Sequence, residues 1–309
     1  YFMFIVGVAM WFSVSKRLSR GDSRRGIALH ILRRCLLLLT FGVALHIGYS
    51  GKIVWELWNV LSQLSMTILI AYAIMQLPGR TQLLISIGLL VLTATLYRFI
   101  GIEGYDQPFV KDHNFGSFMD MILMGKLNNG GGWVAINFIP TAAHTIWGAL
   151  AGKLLASSKT GFNKIKLLLI YGGTALWLGY IMDWTGIDPI IKRICTPSFV
   201  LASGGWALLT LALFYWLVDI KGFRKWVIFF AIVGMNPIFI YLFMNTAGHA
   251  WLVDFTGSFV ADGLLKLGAG EGLAYFFNSL VVLSLAWGLC YWLYKKKIFI
   301  KIFCINQKR

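Results

Sequence analysis

Nine apolar stretches run through this chain, and the charges in the gaps between them alternate in sign from one gap to the next. A hydrocarbon core about 30 Å thick takes roughly 20 apolar residues per helix. Stretches at 1–15, 27–49, 57–77, 82–101, 133–156, 164–183, 198–219, 226–246 and 273–294 meet or approach that length. The expected fold is therefore all-α: a polytopic membrane helix bundle of about nine transmembrane helices in one integral membrane domain, 1–309. Composition agrees, since 58% of residues are hydrophobic and only 13% charged, where a soluble domain carries about 25% charged residues. The chain opens inside an apolar stretch, Tyr1-Phe2-Met3-Phe4-Ile5-Val6. The first span is thus expected to be incomplete, as in a chain that starts partway through a longer protein.

The net charge of +16 suggests nucleic acid, but its distribution argues otherwise. Lys and Arg concentrate at 16–25, 80, 153–166, 221–225 and 295–309, while only Asp22 and Asp219 among the acidic residues share those gaps. Lys and Arg near span ends set orientation. The basic gaps and the Lys295-Lys296-Lys297 tail are expected in the cytoplasm, with 50–56, 102–132, 184–197 and 247–272 outside. The partner this implies is a lipid bilayer, and no nucleic acid. Trp55, Trp58, Trp133, Trp184, Trp251, Tyr291 and Trp292 fall at the inferred interfaces, where amphipathic rings suit the headgroup level.

Two outer gaps are long, 102–132 and 247–272. Phe115–Leu127 within the first has apolar residues at helical spacing and fits a helix lying in the interface plane. Segments of this length tend to be functional, and both mix aromatics with polar groups, among them Asp112, His113, His249 and Trp251.

Ionisable and polar residues inside spans mark sites or pathways. In the fifth span Asn137, Thr141, His144 and Thr145 share one helical face, and Pro140 removes a backbone bond there. The stripe reads either as a cavity wall or as interhelical glue. Asn236-Pro237 in the eighth span reads either as a kink or as a polar site. Lys192 and Arg193 sit outside against the charge bias, held by Asp183 or Asp188, or by an anion. Arg33 and Arg34 lie inside the second span near its cytoplasmic end, with His30 on the same helix; they either snorkel or clamp a phosphate. Lys153 ends another span on that side. His46 lies toward the outer end of the second span.

Several chemistries are excluded. The four cysteines, Cys35, Cys195, Cys290 and Cys304, show no metal-ligand spacing, and no metal is expected. Asn128-Asn129-Gly130-Gly131-Gly132 lacks the Gly-Lys-Ser/Thr ending of a phosphate loop.

At certain segments the chain resembles the heparan-α-glucosaminide N-acetyltransferase family and its bacterial transmembrane relatives. Phe4-Ile-Val-Gly-Val resembles the end of the first conserved region, and Asn59-Val-Leu-Ser-Gln-Leu-Ser the third-span motif. Gly132-Trp-Val-Ala-Ile-Asn-Phe-Ile-Pro-Thr-Ala-Ala-His, Lys192-Arg-Ile-Cys-Thr-Pro-Ser-Phe-Val and Gly234-Met-Asn-Pro-Ile-Phe-Ile-Tyr follow in family order. The resemblance implies acetyl transfer from cytoplasmic acetyl-CoA to the amine of a glucosamine-type sugar on the outer side. The setting it implies is a bacterial inner membrane with the C-terminus cytoplasmic, and a homodimer fits such a protein. The family's own catalytic His belongs to a segment upstream of Tyr1, with one further span.

On this reading His144 and His249 are candidate bases. Asn137 and Asn236 are candidate oxyanion donors. Arg33, Arg34 and Lys153 are expected to hold the phosphates of CoA, and Asp112, His113, Trp251 and Arg193 the sugar. The competing reading is a permease for a sugar or small anion, with Pro140 and Pro237 breaking two spans as carriers often do. A third is a structural membrane subunit, whose stability no small ligand shifts.

Overall fold

The structure is a computed structural model that describes residues 1–128 and 130–300, with His249 and Ala250 described by backbone alone. Asn129 and the end of the basic tail, Cys304 included, lie outside the described residues. Among those described the chain is helical throughout, with no strand.

Two compact units divide the chain, Tyr1–Lys221 and Gly222–Arg309. The first holds α1 (Phe2–Ser19), α2 (Arg24–Ser50), α3 (Val60–Ile74), α4 (Gly79–Phe99), α5 (Phe115–Met124), α6 (Phe138–Ala156), α7 (Gly161–Trp184) and α8 (Pro197–Tyr215). The second holds α9 (Val227–Met235), α10 (Pro237–Met244), α11 (Asp262–Lys266) and α12 (Glu271–Lys295), with π-helical turns at His249–Asp254 and Gly257–Ala261.

Side-chain oxygens start several helices by accepting an otherwise orphaned backbone N–H. Ser23 accepts from Gly26 N at the start of α2, Asn59 from Leu61 N at α3, Asn114 from Ser117 N at α5 and Thr160 from Asn163 N at α7. Gly51 ends α2 in the left-handed conformation at φ 63°, which glycine adopts without a Cβ clash.

Among the described residues six helices are long and apolar enough to cross a membrane, and α9 with α10 would make a seventh, bent by 74°. The expected count of about nine spans is not reached by length and hydropathy among the described residues. α3 has only 15 residues. α6 is 19 residues long but is not among the six, because its polar stripe dilutes it. The physical reason is position. α6 packs against α1, α3, α4 and α8, and Ala142, Ala143, Thr145 and Ile146 have no exposed surface. A helix enclosed by other helices meets little lipid, so its polar groups can be satisfied by neighbours. Lipid-facing helices show the opposite habit: Leu84, Ile87 and Val91 on α4, and Tyr171 and Trp177 on α7, are all exposed.

Small residues let the helices approach. A Cβ on Gly7 would run into the Thr145 carbonyl oxygen, and one on Gly148 into that of Phe4. Small residues at a crossing permit such backbone contact where lipid supplies no hydrophobic driving force. Farther along, a Cβ on Gly152 would meet Val8 and Trp11, and Lys153 lies over the Trp11 ring, so contacts advance from Phe4–Gly148 to Trp11–Gly152 and α1 and α6 run parallel. Gly179 meets Ser198 and Ala202, and Gly172 meets Gly205 and Leu208, so α7 and α8 run antiparallel. Both relations match an alternating up-and-down order.

Candidate functional site

The first unit has two ends of opposite character. At the basic end, α1 finishes and α2 begins. Arg17 Nη2 lies 3.2 Å from His30 Nε2, and Arg33 and Arg34 lie close to the same imidazole. Arg33 is exposed and Arg34 half-buried. Lys153, exposed at the end of α6, sits 5.6 Å above the Trp11 ring. Among the described residues no carboxylate pairs with Arg17, Arg33, Arg34 or Lys153.

At the acidic end several charges pair with one another. Asp188 is 2% exposed. It accepts from Arg98 Nη2 at 3.1 Å and from Ser198 N at 2.8 Å, at the start of α8. Arg98 also donates to the Ile187 carbonyl. Asp183 accepts from Ile190 N. These two carboxylates were the expected partners of Lys192 and Arg193, and neither holds them. Lys192 instead lies 5.5 Å over the Trp133 ring, and Arg193 is exposed. A small pocket beside Arg98 and Asp188, lined by Tyr97, Phe109 and Thr196, has room for about one water molecule.

The same end holds two arrangements that sequence reasoning missed. His46 Nδ1 lies 2.6 Å from Glu56 Oε2, and Lys126 Nζ lies 2.5 Å from Glu56 Oε1. Tyr49 and Trp58 present their rings edge-on to the imidazole. Next to it, the buried Asp120 of α5 accepts from Trp58 Nε1 at 2.7 Å and from Ala135 N at 2.8 Å. Burial raises the Asp120 carboxyl to about 6, against the pull of those two donors. The buried Cys195 thiol is likewise pushed up to about 12 by burial, so it is no nucleophile.

The expected polar stripe on α6 is real in geometry but is committed to packing. His144 Nε2 lies 2.9 Å from the Val200 carbonyl and 3.1 Å from Ser203 Oγ on α8. Thr141 Oγ1 donates back to the Asn137 carbonyl, and the neighbouring Trp147 Nε1 donates to Ser86 Oγ on α4. Asn137 Nδ2 donates to the Arg193 carbonyl at 2.6 Å. The Asn137 Oδ1 atom and Thr145 Oγ1 are buried without a hydrogen-bond partner. What the Asn137 amide leaves unpaired is therefore an acceptor, not the donor an oxyanion needs.

The other candidate residues are described by their own surroundings. Asp112, held at φ 65°, pairs at 3.7 Å with its neighbour Lys111, and His113 Nδ1 is 3.1 Å from the Gly104 carbonyl. Asn236 and Trp251 belong to the second unit. There Asn236 donates to the Ile298 carbonyl and accepts from Ile300 N, tying down the segment after α12 with both ends of its amide. Trp251 is exposed. The side chain of His249 lies outside the described residues.

No group of three or more potential metal ligands comes together among the described residues. The chain matches no protein-family model and no curated protein.

Proposed function

We propose that this protein is a multi-pass membrane acetyltransferase of the heparan-α-glucosaminide type. It would pass acetyl from cytoplasmic acetyl-CoA to the amine of a glucosamine-type sugar on the other side of a bacterial inner membrane. The bundle crosses nine times on this reading, with the enclosed α6, the short α3 and the bent α9–α10 pair as crossings, the basic end inside and the C-terminus cytoplasmic.

One observation carries the reading beyond the sequence resemblance: the polarity of the first unit. Arginines that pair with no carboxylate among the described residues gather at one end, and a cluster of carboxylates, imidazole and aromatic rings is built at the other. Guanidinium forks suit the phosphates of CoA, which gives Arg33, Arg34 and, at the same end, Lys153 their role. Carboxylates and aromatic rings suit a sugar, and Asp112, His113 and Arg193 belong to the segments that line that end.

The test is transfer. Inside-out membrane vesicles preloaded with glucosamine are given radiolabelled acetyl-CoA outside; labelled N-acetylglucosamine is expected within the vesicles. The 74° bend at Asn236-Pro237 favours a second reading, a carrier with a broken helix. Glucosamine crossing the membrane unmodified, with no labelled product, would establish that reading and remove the first.

A further inference from the structure

We infer that His46 and Glu56 form a proton-accepting dyad at the acidic end, with His46 as a catalytic base for the acceptor amine and Glu56 as the positioning residue. The inference rests on the acetyltransferase reading and deepens it. His46 closes α2 and Glu56 belongs to the loop that follows, yet the loop folds back so that Nδ1 and Oε2 lie 2.6 Å apart. A carboxylate accepts only, so Nδ1 carries the shared hydrogen, and whenever the ring is neutral Nε2 is the nitrogen that keeps a lone pair. The second Glu56 oxygen is taken by Lys126, just past the end of α5, at 2.5 Å, which anchors the carboxylate. Edge-on contacts with Tyr49 and Trp58 fix the plane of the ring. The pair is not sealed: the side chains retain 18% and 16% exposure, enough for an amine to approach. A base oriented by a third group is the arrangement an activated nucleophile requires.

The step balances as follows. The amine, already neutral, attacks the acetyl carbonyl carbon with its lone pair and forms the C–N bond. The bond from that carbon to its sulfur or imidazole carrier breaks, and the carrier leaves with the electron pair. The extra proton on nitrogen passes to Nε2 of His46, while Glu56 holds Nδ1–H and stabilises the imidazolium. The proton then returns to the carrier or to water.

The experiment uses the full chain in membranes, with labelled acetyl-CoA and glucosamine. His46→Ala is expected to lower kcat by about 100-fold or more, leave the glucosamine KM within about threefold, and regain at least about tenfold on adding imidazole, which the vacated, solvent-reachable site admits. Rescue of this kind is not expected of a ring that only packs. Loss without rescue, or no loss, would overturn the dyad and leave the acetyltransferase reading standing. No transfer by the unaltered protein would overturn both. If His46→Ala does not accumulate, Glu56→Gln keeps the imidazole in place: kcat is expected to fall about tenfold, with Glu56→Asp recovering most of it. An unchanged kcat in Glu56→Gln would equally overturn the dyad.

Discussion

The two ends of the first unit handle charge in opposite ways. At the acidic end Arg98, Asp188, Asp183, Asp120, Glu56, His46 and Lys126 all have partners inside the protein. At the basic end Arg33 and Arg34 lie close to the His30 imidazole, and among the described residues no carboxylate pairs with them. Like charges held together without counter-charge repel, and the fold gains nothing from them. That arrangement suits the CoA-binding role proposed for them. The acidic end, by contrast, is built by its own pairs, so its charges carry stability as well as chemistry.

Substitutions can break that contrast. The largest expected effect is at Arg98. Arg98→Ala leaves Asp188 buried with only the Ser198 N–H, and removing one partner of a buried pair is costly. Arg98 is itself partly exposed, so about 3 kcal/mol of stability is the expected loss, read as a clear fall in the apparent Tm in detergent. A shift near zero would mean that the acidic end is no better tied than the basic one.

Asp120 gives the next effect, and it depends on pH. Its folded carboxyl, at about 6, lies above the ordinary value of 3.8. The folded state therefore holds a proton that the unfolded state has already released. The associated stability is full below about pH 4 and is lost as pH rises through 6. Roughly 2 kcal/mol is expected to disappear across that window, and Asp120→Asn is expected to flatten it. Thermal melts from pH 4 to 7 that are equally steep in both proteins would contradict this.

A smaller effect is expected at His144. If its ring joins α6 to α8 by hydrogen bonds to Val200 and Ser203, His144→Gln costs about 1 kcal/mol. Acetyl transfer should stay within about threefold in kcat. A 100-fold loss of kcat with unchanged Tm would move the chemistry into the middle of the bundle. Smallest of all, Lys192→Met removes the contact over Trp133 and is expected to cost about 0.5 kcal/mol.

Much of this architecture was readable from the chain. The predicted stretch 27–49 matches α2 at Arg24–Ser50, and 273–294 matches α12 at Glu271–Lys295, because long apolar runs bounded by charge leave few alternatives. Phe115–Leu127 was read as an interfacial helix and forms α5, with Ser117 and Asp120 buried and Met121, Ile122 and Leu123 exposed. Helix enclosure was not readable. Hydropathy records how a helix would meet lipid, and α6 meets helices instead. The polar groups of its stripe were legible, but their partners on α8 were not, since His144 and Val200 are far apart in sequence. The cluster at Glu56 was hidden for the same reason: Lys126 is distant along the chain, and nothing local to His46 announces the turn that brings Glu56 back to it.

If the basic end takes CoA, as proposed, the cofactor stabilises the folded protein, and thermal melts read that stabilisation. In detergent-purified protein, CoA at about 100 times its Kd is expected to add about 2.7 kcal/mol and raise the Tm. The Arg33→Ala, Arg34→Ala double variant should match the unaltered protein's Tm without ligand and show little or no rise with CoA. An equal rise in both proteins, or none in the unaltered protein, would remove Arg33 and Arg34 as the CoA site.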